Sequence, residues 1–201
     1  MFNGNKVVDF HVHLAKYEVF CDRAHKWFAQ AFPSLDAYEA FCDTYKDPDE
    51  FIRLMDEKGV DYSVILAEIA PLTTGIATNE MVESFCHGNP RLIPFCTFNP
   101  YLHPDMGESL KNLCTQHGFK GVKLYPTYNH FYPNDPVLYP LYSEAEKLSI
   151  PILFHTGSSI FENSRIKYGN PIFFDDLAID FPNLKIIMAH GGRGQIGRAH
   201  V

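Results

Sequence analysis

Four histidines in this sequence have the types and spacing that chemistry needs. His11 and His13 close the apolar run Val7–His13 within Asp9-Phe10-His11-Val12-His13. Side chains alternate faces along a strand, so on an extended backbone Asp9, His11 and His13 point the same way. His155 ends Pro151-Ile-Leu-Phe-His155-Thr-Gly, and His190 ends Ile186-Ile-Met-Ala-His190-Gly-Gly. Taken singly, either of these reads as a hydrogen-bonded core histidine. Four imidazoles at the same ends of three strands are hard to explain by packing, and they point to a divalent metal ion. Imidazole is the commonest metal ligand, and Zn²⁺ accepts nitrogen readily. Three protein nitrogens leave a position open for water, whose pKa such an ion lowers to about 7. A further histidine beside that water can carry a proton.

The elements that must hold these residues follow from the apolar pattern. Six β-rich runs are predicted at Val7–His13, Tyr62–Glu68, Leu92–Phe98, Lys120–Tyr125, Pro151–Thr156 and Lys185–His190. From the second onward they recur at intervals of about 30 residues, and their near-continuous apolar character suits parallel strands. Helical patterns fill the gaps. Asp47-Pro48 opens one with Phe51, Leu54 and Met55 that Gly59 closes, the expected order of cap, first-turn proline and terminal glycine. Met106, Leu110, Leu113 and Cys114 form a second stripe ended by Gly118, and Asp135-Pro136 opens a third through Leu138, Leu141, Ala145 and Leu148. Alternating strand and helix units predict an α/β protein. No Gly-x-Gly-x-x-Gly follows the first strand, and polar residues gather at the C-terminal ends of several strands. Both facts favour a (β/α)8 TIM barrel over a doubly wound open sheet.

Composition narrows the partners. The chain has 201 residues, 46% hydrophobic and 20% charged, with a formal net charge of -7. One domain with one sizeable core is expected. The acidic balance argues against nucleic acid, and no apolar run is long enough for a membrane span. Five cysteines without a Cys-x-x-Cys pair suit reduced thiols and a cytoplasmic setting. The expected partner is a small-molecule substrate, with a homodimer as the candidate assembly. The segment 15–47, carrying Trp27, Phe28, Phe32, Tyr38 and Phe41, is far longer than a usual βα loop. It is expected to fold as short helices over the barrel mouth, with a packing decoration away from the site as the competing reading.

These motifs resemble the amidohydrolase superfamily, in its amidohydrolase-related branch of metal-dependent hydrolases and non-oxidative decarboxylases. The Asp-x-His-x-His strand, Gly121-Val-Lys-Leu-Tyr-Pro126, the His155 strand and Ala189-His190-Gly-Gly192 carry the likeness, which runs from Val7 to Gly192. It implies that His11, His13 and His155 bind one metal ion, taken here as zinc. It implies that His190 contacts the water or substrate and that Asp9 orients the ligands of the first strand. Lys123, Tyr125 and Arg165 are expected to bind substrate, Arg165 through charge-assisted bonds to a carboxylate. Some superfamily members carboxylate a lysine on the fourth strand to bridge two metals; here the plainer role for Lys123 is preferred. The aromatic stretch Tyr125, Tyr128, His130, Phe131 and Tyr132 is expected to line part of the pocket.

The superfamily also places an aspartate on the eighth strand. Asp175, Asp176 and Asp180 precede the sixth strand and do not qualify. Six of eight βα units are thus expected in one domain over 1–194, with roughly 60 more residues needed to complete a barrel. The segment 195–201 has no apolar period, and its last six residues match the translation of a common sequencing adapter. A non-native tail is expected there. TatD-like nucleases share the first strand but carry a glutamate where Gly121-Val-Lys-Leu stands. Phosphoesterases of the polymerase-and-histidinol-phosphatase type need further early ligands, for which His25 is the only candidate. The expected activity is metal-dependent hydrolysis of a C–N or C–O bond, with non-oxidative decarboxylation of a small unsaturated or aromatic acid as the alternative. An inactive truncated fragment is the third reading.

Overall fold

The computed structural model describes residues 4–192, so the segment 195–201 lies outside the described residues. In chain order the elements are β1 (Val8–His13), α1 (Asp22–Phe28), α2 (Leu35–Tyr45), α3 (Pro48–Lys58), β2 (Tyr62–Leu66), β3 (Glu68–Ala70) and β4 (Gly75–Ala77). They continue as α4 (Asn79–Cys86), β5 (Leu92–Thr97), α5 (Met106–Gln116), β6 (Gly121–Leu124), α6 (Pro126–Asn129), α7 (Tyr139–Lys147), β7 (Ile152–His155), α8 (Phe173–Asp180) and β8 (Ile186–Ala189). Six strands form one sheet in the order β1-β2-β5-β6-β7-β8, and every pairing in it is parallel. The sheet curls into an open arc of a (β/α)8 barrel.

Local sequence explains the helices. At α3 the Asp47 carboxylate accepts the Asp49 and Glu50 N–H groups, Pro48 sits where no N–H is needed, and Gly59 ends the helix at φ 69°. Such a cap contributes about 1 kcal/mol. The third predicted helix begins as a 3-10 turn, Pro136–Leu138, before α7 takes over. Helix faces bury the outer side of the sheet: Ile65, Cys96, Val122, Leu124, Ile152 and Phe154 join Met55, Leu110, Leu141 and Leu177 in one core. The inner side carries a smaller cluster of Val64, Leu66, Phe95, Leu153 and Ala189.

The floor of that inner side is one phenyl ring. A Cβ placed on Gly121 would stand 2.2 Å from the Phe95 ring, so Phe95 fills the layer for two strands. Phe10 meets it edge-on, with centroids 5.6 Å apart.

Two expectations need correction. The second strand ends at Leu66 rather than Glu68, because Glu68 turns away into the antiparallel hairpin β3–β4, which the apolar run concealed. In β1 the register slips by one residue between Asp9 and Val12. Asp9 pairs with Ser63, whereas His13 pairs with Leu66 of the inner cluster, three residues on and therefore of opposite parity. A bulge of this kind re-aims side chains, so strict alternation does not put Asp9 on the face of His11 and His13.

Candidate active site

The four histidine rings meet at the C-terminal ends of β1, β7 and β8. Centroid separations are 5.2 Å for His11–His13, 5.0 Å for His11–His190 and 4.8 Å for His155–His190. Each is held differently. His155 ends a strand whose four residues are all buried. His190 opens the turn His190–Gly192 at φ 60°, a left-handed backbone that a non-glycine residue adopts only at a cost. The Thr156 hydroxyl ties that turn down by donating to the Ala189 carbonyl and accepting the Gly192 N–H. His13 turns Nδ1 toward Glu68 Oε2 at 3.0 Å.

Electrostatics keep two of the imidazoles, His11 and His155, neutral. Burial first, then the charge of Lys123 and the other rings, pushes His11 down to about 2. Burial and Lys123, with His190, do the same to His155. Burial pushes Lys123 itself down to about 7, against the opposing pull of Glu68. Neutral imidazole is the form that binds a metal. His155 Nε2 is buried without a hydrogen-bond partner among the described residues. An orphaned lone pair of that kind costs about 1–3 kcal/mol, and a cation would satisfy it. Among the described residues, no three His, Cys, Asp or Glu groups already form a coordination shell. The rings stand side by side, 4.8–5.2 Å apart between neighbouring centroids.

Above the histidines lies a cavity of 460 Å³. Its roof is aromatic: Trp27 and Phe28 of α1 meet Phe161, which follows β7, at 5.6 and 5.5 Å between centroids. Tyr125 and Tyr128 stack on one another at 5.6 Å and form a wall. Of the aromatic stretch after β6, Phe131 instead enters the main core, and His130 faces a separate cavity with Tyr168.

The remaining expected site residues fall outside this lining. Lys123 is fully buried beneath the site, 5.0 Å from the Tyr125 ring centre, and its Nζ has no hydrogen-bond partner among the described residues. Arg165 is exposed in the loop before the turn Ile166–Gly169 and does not line the cavity. Asp9 is exposed, and its carboxylate accepts the His11 backbone N–H at 3.2 Å. Sequence reasoning missed Glu68, although it stands just past an apolar strand as His155 and His190 do.

The amidohydrolase family model matches residues 8–200. The chain belongs to the amidohydrolase family. Solved structures agree on the fold of this family member. An uncharacterised TIM-barrel protein from Bordetella bronchiseptica is 21% identical with a TM-score of 0.72, covering 94% of this chain and 68% of its own. A 5-carboxyvanillate decarboxylase from Novosphingobium aromaticivorans, with bound manganese and a nitrobenzoic acid, is 15% identical with a TM-score of 0.67, covering 94% and 67%. A probable 2-pyrone-4,6-dicarboxylic acid hydrolase from Acinetobacter baumannii is 17% identical with a TM-score of 0.59, covering 94% and 60%. No helix among the described residues of the amidohydrolase is long and apolar enough to cross a membrane.

Proposed function

We propose that this chain carries the centre of a metal-dependent hydrolase acting on a C–N or C–O bond of a small organic substrate. The observation that carries the reading is the meeting of four imidazoles, two of them pushed down to about 2, beneath an aromatic-walled cavity. His11, His13 and His155 are the ligands of a divalent ion, with zinc as the proposed metal. Such an ion supplies a lowered water pKa and polarisation of a carbonyl oxygen. His190 holds a proton near the reacting atoms. Tyr125, with Tyr128 and the roof residues, excludes water and packs a flat substrate face. Asp9 steadies the β1 bulge through the His11 N–H rather than reaching the substrate, and Arg165 has no part in the lining. Five unpaired thiols support a reducing, cytoplasmic setting.

A second reading, non-oxidative decarboxylation of an aromatic acid, is favoured by the aromatic roof and by the manganese-bound decarboxylase among the similar structures. The protein loaded separately with Zn²⁺ and Mn²⁺ and offered lactones, cyclic amides and aromatic acids separates the two. Water-dependent ring opening that chelation abolishes is the expected result. Release of carbon dioxide without ring opening moves the assignment to the second reading. Failure to bind either ion sinks both.

A further inference from the structure

The hairpin β3–β4 takes no part in the six-stranded sheet, yet it is anchored on several sides. The Cys21 N–H donates to the Thr74 carbonyl at 2.8 Å, and Phe20 bridges Gly75. The Asn129 amide donates to the Ile69 carbonyl at 3.0 Å, and the Tyr125 hydroxyl to the Ala67 carbonyl at 2.9 Å. Gly75 sits at φ +146°, where a Cβ would stand 1.9 Å from the Val19 carbonyl oxygen, so the packing leaves no slack. What this scaffold holds is Glu68, only 3% exposed. A buried carboxylate is costly unless its oxygens are hydrogen-bonded. One oxygen accepts the Thr74 hydroxyl and the other stands 3.0 Å from His13 Nδ1.

We propose that Glu68 is a positioning residue for the metal centre: it holds His13 in the tautomer with its proton on Nδ1, leaving the Nε2 lone pair to face the site. The inference rests on the metal reading above. An ionised carboxylate only accepts hydrogen bonds, so the nitrogen facing it carries the proton, and in neutral imidazole the other nitrogen is then the free acceptor. His13 needs this help more than His155 does. It lies just past a bulge, and its side chain is 32% exposed. The Thr74 hydroxyl, at the far end of the hairpin, fixes the carboxylate in turn.

Long-range ¹H–¹⁵N spectra of the metal-free protein, recorded in mildly alkaline buffer, read the tautomer directly, with His13→Asn identifying the signal. The wild type is expected to show His13 protonated on Nδ1, and Glu68→Leu a mixture of both tautomers. Calorimetric titration with Mn²⁺ and with Zn²⁺ is expected to weaken by about 10–100-fold in Glu68→Leu. Glu68→Gln, whose amide oxygen still accepts from Nδ1, is expected to keep the tautomer and to lose less affinity. A proton on Nε2 in the wild type, or an unchanged tautomer in folded Glu68→Leu, overturns the proposal. If Glu68→Leu does not fold, Thr74→Val decides: a His13 signal shifted toward the mixture supports the proposal, and an unmoved one overturns it. Should the wild type bind neither ion while the spectra behave as expected, the metal reading fails and the positioning of His13 by Glu68 stands.

Discussion

The ends of β7 and β1 present histidines to the same cavity from opposite mechanical situations. β7 lies between β6 and β8 with all four residues buried, so packed strands on both sides hold His155. β1 is exposed over its first three residues and half-buried over the next three, with a register slip in the middle. Its histidines are aimed by polar contacts instead: the Asp9 carboxylate on the His11 N–H, and Glu68 on the His13 ring. His155 is held by its buried strand and a backbone hydrogen bond with Ser158. The bulged strand adds hydrogen bonds from outside the sheet to aim its ligands.

The largest expected effect tests that difference in the two strands themselves. Phe154 is fully buried and packs edge-on against Phe174 at 4.9 Å. Phe154→Ala is expected to cost about 3–5 kcal/mol in urea unfolding. Phe10→Ala on β1, where the side chain is 39% exposed, is expected to cost about 1 kcal/mol. Equal losses would break the comparison.

Acid provides the next test. His11 and His155 are both held well below their ordinary value of 6.5, to about 2. Between those values the unfolded chain binds the protons and the folded chain refuses them. Stability of the metal-free protein is therefore full above pH 6.5 and declines as pH falls through the window toward 2. Each group contributes up to about 1.4 kcal/mol per pH unit. His11→Gln and His155→Gln should each flatten the acid limb of the pH–stability curve by about one proton. A limb that only His155→Gln flattens would show that the half-buried β1 position does not exclude its proton.

The smallest effect belongs to Asp9. Its carboxylate is exposed and meets only a backbone N–H among the contacts described. Asp9→Asn keeps an acceptor there and should change Zn²⁺ affinity by less than about twofold, the scale of an exposed polar change. A tenfold loss would mean that the charge of Asp9, and not only its acceptor oxygen, steers the β1 ligands.

How far the sequence could be read follows the same divide. The six sheet strands are visible as apolar runs because they are buried and parallel, and the histidines at their ends are visible because each run stops there. The α3 cap is legible for a local reason, since Asp47, Pro48 and Gly59 act within their own neighbourhood. The β1 bulge is not legible, because nothing in Asp9-Phe-His-Val-His marks which residue will be skipped by a partner strand 50 residues away. The hairpin β3–β4 is hidden by strands of three residues each, too short for any period. Lys123 reads as a pocket residue on an inner strand, yet it ends under the site because Tyr125 covers it. Arg165 has the chemistry for a carboxylate but stands in a loop that faces outward.

The phenyl ring under the histidines has an evolutionary corollary. Residues 95 and 121 share a single allotment of space, since the Phe95 ring occupies the volume that any side chain on Gly121 would need. A relative can enlarge position 121 only by trimming position 95. Such a paired exchange would keep the inner layer of the sheet filled, so these two positions are expected to change together rather than singly.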